Sequence, residues 1–241
     1  MTARVKAVIL AAGRGSRLQP HADAWPKALL PMGNTTLVHR TIGILREQGI
    51  ADISLVVGYL KDRFFEAFPG GVRFYVNDDY DATDQAASLL AARAEITDDV
   101  LVVTGDLLCP PAVYSDMLRD RSPVSVAVDR KARVFDDTIE KVLFEDGRIA
   151  RIGKLNVRND EANGEFMGMT MFRAEAGPPT LQRLDALVRR DRRSALIHVH
   201  QDRIDAGHRL GYVECQGEWC EVDDIESLEK ARRILAAGTA V

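Results

Sequence analysis

The sequence predicts an α/β fold built on a mostly parallel sheet, and three observations predict it. Short, almost continuous apolar runs at 5–10, 53–57 and 100–104 alternate with segments of helical composition. That alternation marks βαβ units, whose strands are buried on both faces and read as unbroken hydrophobic stretches. A glycine-punctuated loop follows the first run directly. After Pro123 the texture turns β-like, with a hairpin signal at Asp146-Gly147.

In chain order, residues 5–10 form a first strand running into Ala11-Ala12-Gly13. The apolar stretch is too short for a signal peptide and leads straight into the glycine motif. Thr35 or Thr36 offers a capping oxygen for a helix to about Gln48, and Gly49 ends it. A second strand follows at 53–57, then a short helix at 60–68, stopped by Pro69-Gly70-Gly71. Residues 72–76 are a third strand, 77–83 a polar, acidic loop, and 85–93 a helix by propensity. The fourth strand, 100–104, ends at Gly105-Asp106. Beyond Pro123 come strands at 124–128, 139–144, 148–152 and 166–172, a helix at 179–190, a strand at 211–215 and a closing helix at 225–236. The 241 residues show no repeat, low-complexity tract or linker, so the expectation is a single domain over 1–241.

The net charge of −4 argues against a nucleic-acid or anionic-membrane partner, since both select a basic face. No apolar run approaches the roughly 20 residues of a membrane span. Cys109, Cys215 and Cys220 are odd in number and lack disulfide-framework or metal-site spacing. They suit a reducing cytosol, so the expected location is cytoplasmic. Cys109, close to Asp106, reads as a small buried residue rather than a nucleophile. His198-x-His200 would face one way on a strand, but no third zinc ligand accompanies the pair.

The strongest motif is Leu10-Ala11-Ala12-Gly13-Arg14-Gly15-Ser16-Arg17-Leu18, followed by Pro26-Lys27. A small, glycine-rich loop after a buried strand lets backbone N–H groups approach phosphate oxygens. Arg17 reaches for the β- and γ-phosphates of a triphosphate, and Lys27 supplies a compact charge for the α-phosphate. The loop is neither a Walker loop, lacking Gly-Lys-Ser/Thr, nor a dinucleotide fingerprint, because Leu18 replaces the third glycine. Asp106, at the end of a strand, offers a carboxylate where ligands sit in open α/β sheets. Glu221-Val222-Asp223 precedes the last helix, so Asp223 is either a metal ligand or that helix's N-cap. Two carboxylates from distant segments suit Mg²⁺, which keeps waters and phosphate oxygens as its other ligands.

At the glycine loop and Pro26-Lys27 the chain resembles the nucleotidyltransferase superfamily that includes nucleoside-diphosphate-sugar pyrophosphorylases. The resemblance implies a Rossmann-like, doubly wound α/β/α sandwich with a small β-rich acceptor-side insertion. Residues 1–122 would form the nucleotide-binding half, and 123–241 the acceptor-side half with the closing helix. It implies Mg²⁺ as cofactor, held by Asp106 and Asp223, with residues 10–16 around the triphosphate and Arg17 and Lys27 as catalytic cations. Tyr80-Asp81-Ala82-Thr83-Asp84-Gln85-Ala86-Ala87-Ser88-Leu89 resembles the Thr-Asn-x-x-x-Ser-Leu pattern of bacterial-type choline-phosphate and phosphonate cytidylyltransferases. Here Asp84 stands where that pattern has Asn. Lys141-Val142, Gly153-Lys154, Gly164-Glu165 and Trp219…Asp223 echo the same group in the same order. This resemblance implies CTP as donor, with Gln85, Ser88 and Asp106 on the nucleotide. By residue type, Lys154 or Lys141 could hold the phosphate or phosphonate of a small acceptor, Glu165 could face a cationic head group, and Asp84 could accept from such an ammonium or from the exocyclic amine of cytosine. Asp84 could equally cap the helix after it. A homodimer is compatible with the resemblance.

Acidic groups such as Asp81, Asp136 and Glu165 would suit a primary ammonium on the acceptor. Choline would instead favour a cage drawn from Tyr80, Tyr114, Phe135, Phe166 and Trp219. Trp25 is a further candidate, for covering the triphosphate loop. A phosphate monoester with a second pKa near ~6 is largely ionised at cytosolic pH and needs no general base. Two alternatives stand beside this expectation: an inositol- or sugar-1-phosphate nucleotidyltransferase, and a catalytically silent nucleotide-sensing module.

Overall fold

The computed structural model describes residues 5–131 and 133–238. The first half runs β1 (Val5–Ala11), α1 (His21–Ala24), the small pair β2 (Pro31–Met32) and β3 (Thr35–Thr36), then α2 (Leu37–Glu47). It continues through β4 (Ile53–Val57), α3 (Lys61–Ala67), β5 (Arg73–Val76), α4 (Gln85–Ala91), β6 (Asp99–Thr104), β7 (Leu107–Leu108) and α5 (Pro111–Arg119). The second half holds β8 (Val124–Asp129), β9 (Lys141–Glu145), β10 (Arg148–Ile152) and β11 (Gly164–Phe172). Helices α6 (Gly177–Arg190) and α7 (Leu196–Asp205) follow, then β12 (Gly211–Glu214), β13 (Cys220–Glu221) and α8 (Ile225–Ala236).

Nine strands from both halves join one sheet among the described residues. Strands β6, β1, β4 and β5 are parallel neighbours. Strand β11 runs antiparallel to them, pairing β6 along one edge and β8 along the other. The β9–β10 hairpin attaches to the start of β11 and forms the insertion. Because β4 lies on one side of β1 and β6 on the other, the strand order reverses at β1. A crevice opens there at the carboxyl ends of the strands, the usual ligand position in such sheets.

Strand β1 shows why the sheet is sandwiched. Ala7, Ile9 and Ala11 enter one core with Val38, Ile42 and Leu45 of α2, Phe64 of α3 and Tyr114 of α5. Val8 and Leu10 enter the opposite core with Leu89 of α4, Leu184 of α6 and Leu196 of α7. The period-two alternation of a strand divides its side chains between two helix layers. At about 1.5–3 kcal/mol per fully buried large aliphatic side chain, these cores outweigh the surface ion pairs, each worth about 0–1 kcal/mol. A third cluster fastens α8, through Leu228, Ala231 and Ile234, to Leu18, Leu108 and Val222. It ties the last helix to the glycine loop.

Several boundaries differ from expectation. Helix α5 has no counterpart among the expected elements; it begins at Pro111, where proline at the first turn is compatible with a helix. Segment Leu196–Asp205, expected to have strand character at His198-x-His200, is helix α7. Its two histidines therefore diverge: His198 lines the crevice, while His200 is buried against Thr170 at 3.0 Å. Strand β9 begins at Lys141 rather than 139, leaving Glu140 in the loop before it.

Candidate active site

The crevice is a cleft of about 640 Å³ at the end of β1. Leu10, Ala11, Ala12, Gly13 and Gly15 form its floor. Gly15 sits at φ 68°, in the left-handed region, and a Cβ there would come within 3.0 Å of Lys27 Cβ. The missing side chain gives the lysine stem its path. Arg17 follows in a short 3-10 turn and lines the same cleft, while Ser16 opens that turn and is exposed. Arg14 turns away, its guanidinium 5.3 Å above the Tyr59 ring and 3.8 Å from Asp23.

Two short strands bring the carboxylates together. Strand β13 pairs with β7, and Val222 N–H donates to the Asp106 carbonyl at 3.0 Å. Asp106 and Asp223, 117 positions apart in sequence by their numbering, thereby face the same ammonium. Lys27 Nζ donates to Asp106 Oδ2 at 2.5 Å and to Asp223 Oδ1 at 2.8 Å. Arg17 Nη2 lies 2.9 Å from the second oxygen, Asp223 Oδ2. Burial opposes the lysine charge, but the two carboxylates outweigh it and raise its pKa. Burial opposes the Asp223 charge as well, and Lys27 and Arg17 hold its carboxyl below the usual range. The helix-capping alternative for Asp223 belongs to its neighbour: Asp224 accepts from Ser227 N–H at 2.8 Å at the start of α8.

Among the described residues, no group of three or more His, Cys, Asp or Glu is arranged to hold a metal. The two-carboxylate set nevertheless fits Mg²⁺, which is commonly held by one or two carboxylates with substrate phosphates. Asp106 Oδ1 is buried with no hydrogen-bond partner, a hard oxygen donor left over at the same point. Thr104 Oγ1 is likewise buried and unpartnered on the cleft wall.

The far wall comes from α4 and the insertion. Asp84 lines the cleft and also caps α4, accepting from Gln85 N–H at 2.7 Å. Gln85 lines it too, its Oε1 accepting from Leu196 N–H at 3.3 Å. Ser88 Oγ accepts from Asn77 Nδ2 at 3.0 Å. Lys154 enters from the loop after β10. Two expected acceptor residues do not reach the cleft. Lys141 is buried inside the insertion, where Nζ donates to Asn159 Oδ1 at 2.5 Å and Asp136 O at 3.1 Å. Its charge is spent holding the 136–139 loop. Glu165 pairs with Arg133, which also holds Asp129, so it has no charge to offer a ligand. Burial pushes its carboxyl up to about 6 even so.

Glu140 was not anticipated. It lines the cleft beside Lys141, and burial pushes its carboxyl up to about 7, helped by Asp84, Asp106 and Asp223 and opposed by Lys154. Arg193 also lines the cleft, its guanidinium donating to Asp81 O at 3.1 Å. Glu221, next but one to Asp223, also lines the cleft, with its pKa raised by burial and then by Asp106, Glu140 and Asp223. Of the five cage aromatics, only Tyr80 lines the cleft. Tyr114 and Phe166 are core residues, and Trp219 Nε1 donates to Asp129 at 2.7 Å. Trp25 stacks with Arg63 at 5.0 Å instead of covering the glycine loop.

Residues 7–237 match the MobA-like NTP transferase domain. The chain belongs to that family. This NTP transferase is 24% identical over 250 residues to a CTP:phosphoglutamine cytidylyltransferase of Campylobacter jejuni, covering 93% of this chain and 98% of the relative. It is 32% identical over 140 residues to a CMP-5'-(3-aminopropyl)phosphonate synthase of Streptomyces rubellomurinus. That match spans 56% of this chain and only 22% of the larger protein. The solved CTP:phosphocholine cytidylyltransferase of Streptococcus pneumoniae superposes with a TM-score of 0.79 at 27% identity, covering 96% of this chain and 99% of that one. The Rossmann-like nucleotidyltransferase fold expected from the glycine loop is the fold of the NTP transferase.

Proposed function

We propose that this NTP transferase is an Mg²⁺-dependent cytidylyltransferase, passing CMP from CTP to a small phosphate or phosphonate and releasing pyrophosphate. The observation that carries the reading is the Lys27 ammonium held between Asp106 and Asp223 at the mouth of the glycine loop. Cationic and metal-binding groups meet there at one point, where an α-phosphate would lie. Backbone N–H groups of residues 11–15 cradle the triphosphate, with Arg17 on its outer phosphates. Asp106 and Asp223 would hold the divalent ion, which would supply positive charge at the α-phosphate. Lys27 neutralises charge that grows on the same phosphate in the transition state.

The acceptor oxygen, ionised at neutral pH, attacks the α-phosphorus in line and needs no protein base. Its phosphate or phosphonate pairs with Lys154. Glu140 and Asp84 suit a cationic head group, and the lack of a cage beyond Tyr80 favours a primary ammonium over choline. The Gln85 carbonyl is engaged by Leu196 N–H, which leaves its NH₂ as donor. Cytosine N3 accepts from such a donor, whereas uracil N3–H does not; O2 accepts in both bases and does not discriminate. No helix among the described residues is long and apolar enough to cross a membrane, and the three buried, free thiols suit a reducing cytosol.

Pyrophosphate release from CTP, UTP and dTTP, each with 2-aminoethylphosphonate, phosphocholine and a hexose 1-phosphate, tests the proposal. The expected turnover is with CTP and an ammonium-bearing phosphonate or phosphate. Turnover with hexose 1-phosphates alone would overturn it, and nucleotide binding without any turnover would favour a silent module.

A further inference from the structure

The seat that suits a divalent ion and the seat of the Lys27 ammonium coincide. Lys27 Nζ is 2.5 Å from Asp106 Oδ2 and 2.8 Å from Asp223 Oδ1, and Arg17 occupies the other Asp223 oxygen at 2.9 Å. A magnesium ion coordinates oxygens at about 2.0–2.1 Å, so on these oxygens it would compete with the ammonium already in contact with them, and repulsion between the two cations disfavours holding both at once. The one carboxylate oxygen left without a partner, Asp106 Oδ1, is buried beside the lysine. One side chain thus does two incompatible things. It fills the cation seat, and the proposed chemistry needs it on the α-phosphate.

We infer that Lys27 is the resident counter-ion of the metal seat in the nucleotide-free enzyme, and that a divalent ion displaces it toward the nucleotide. The inference rests on the reading that Asp106 and Asp223 hold the ion. Each half of the exchange is costly alone: an ion entering without nucleotide leaves a partly buried ammonium without its carboxylates, and an ammonium leaving without an ion strands two facing carboxylates. Nucleotide and metal therefore strengthen each other's binding, and the ion alone displaces the lysine only at high concentration. Gly15 gives the lysine stem room to swing, since a Cβ there would lie 3.0 Å from Lys27 Cβ and 3.3 Å from its Cδ. The positioning role is distinct from charge neutralisation in the transition state, because it governs when the site is assembled.

Two measurements on nucleotide-free protein test it. Free Mn²⁺ followed by electron paramagnetic resonance gives the ion affinity of wild type and of Lys27→Met. Acetylation of lysines read by mass spectrometry gives the exposure of Lys27 in wild type, with exposed Lys230 as internal reference. The expected results are about tenfold tighter Mn²⁺ binding in Lys27→Met, in the usual range for a coupling between sites, and faster labelling of Lys27 in wild type at saturating Mn²⁺ with Lys230 unchanged. Tighter binding in the variant with unchanged Lys27 labelling would mean only a field effect, and would overturn displacement. So would equal affinities in the two proteins. Mn²⁺ binding to neither protein would remove the metal reading and this inference together. Should Lys27→Met fail to fold, the wild-type labelling decides alone. Neither readout requires turnover, so failure here is distinguishable from failure of the pyrophosphate assay.

Discussion

At the scale of single residues, the site is organised by one ammonium and the two carboxylates that hold it. Removing Lys27 or neutralising Asp106 should act on the chemical step far more than on folding. Lys27→Ala and Asp106→Asn are each expected to lower kcat by about 10²–10³-fold, the usual effect of losing one preorganised electrostatic group, while circular dichroism shows the fold retained. Normal turnover of CTP by either variant would contradict the assignment. Glu140 gives a pH prediction. Its carboxyl is raised from 4.5 to about 7, so the folded protein holds that proton more tightly than the unfolded chain. Stability is therefore lost as pH rises through this window and stays lost above it. Glu140→Gln removes the penalty and should raise Tm at pH 8 by roughly 2–4 °C, equivalent to about 1 kcal/mol in a chain of this size. In wild type, KM for an ammonium-bearing acceptor should rise as pH falls from 8 to 6; in Glu140→Gln it should be high throughout. Ionisation of the acceptor's own phosphate affects both proteins alike, so the difference between them isolates the carboxylate. Arg17, Lys27, Asp106 and Asp223 were legible in sequence because each belongs to a spaced motif. Glu140 was not, because it carries no motif, and only the true start of β9 turns it toward the cleft and Lys141 away from it.

At the scale of elements, caps and turns separate stability from chemistry. Asp223 and Asp224 are adjacent, yet one faces Lys27 and the other caps α8. Asp224→Ala should cost about 1 kcal/mol, the usual worth of an N-cap, read as a lower denaturant midpoint with pyrophosphate release retained. Asp223→Asn should do the reverse. Gly15→Ala should also lower stability by about 1–2 kcal/mol for a non-glycine residue at positive φ, and lower kcat by displacing the Lys27 stem. Gly168 shows the same economy of space behind two cleft residues. At φ 74°, its missing Cβ leaves room for Thr104 Oγ1 and Glu221 Oε1, which would otherwise lie 2.3 and 3.1 Å away. The buried strands β1, β4 and β6 and the capped helices α2 and α8 were legible because apolar runs and caps are local signals. Helices α5 and α7 were not: a double proline hides the start of the first, and the mixture of β-branched residues and histidines in the second contradicts its helical state.

At the scale of the whole molecule, the reversal of strand order at β1 puts the glycine loop, Asp106 and the insertion around one crevice. With a net charge of −4, phosphate binding falls to a few local cations, Arg17, Lys27, Lys154 and Arg193, which line the crevice among its carboxylates. The long-range pairing that brings Asp223 to Asp106, through β13 and β7, has no local sequence signal. Only the closing helix, clamped on the glycine loop by Leu228 and Ile234 against Leu18 and Leu108, shows how the two ends of the chain build one site. The most direct test of this convergence is which phosphorus of CTP is attacked. ³¹P NMR of the enzyme with CTP, Mg²⁺ and 2-aminoethylphosphonate should show the α-phosphorus in a new anhydride with the phosphonate, alongside free pyrophosphate. Formation of CDP with inorganic phosphate, or with a phosphorylated acceptor, would place the attack at the γ-phosphorus and contradict the account.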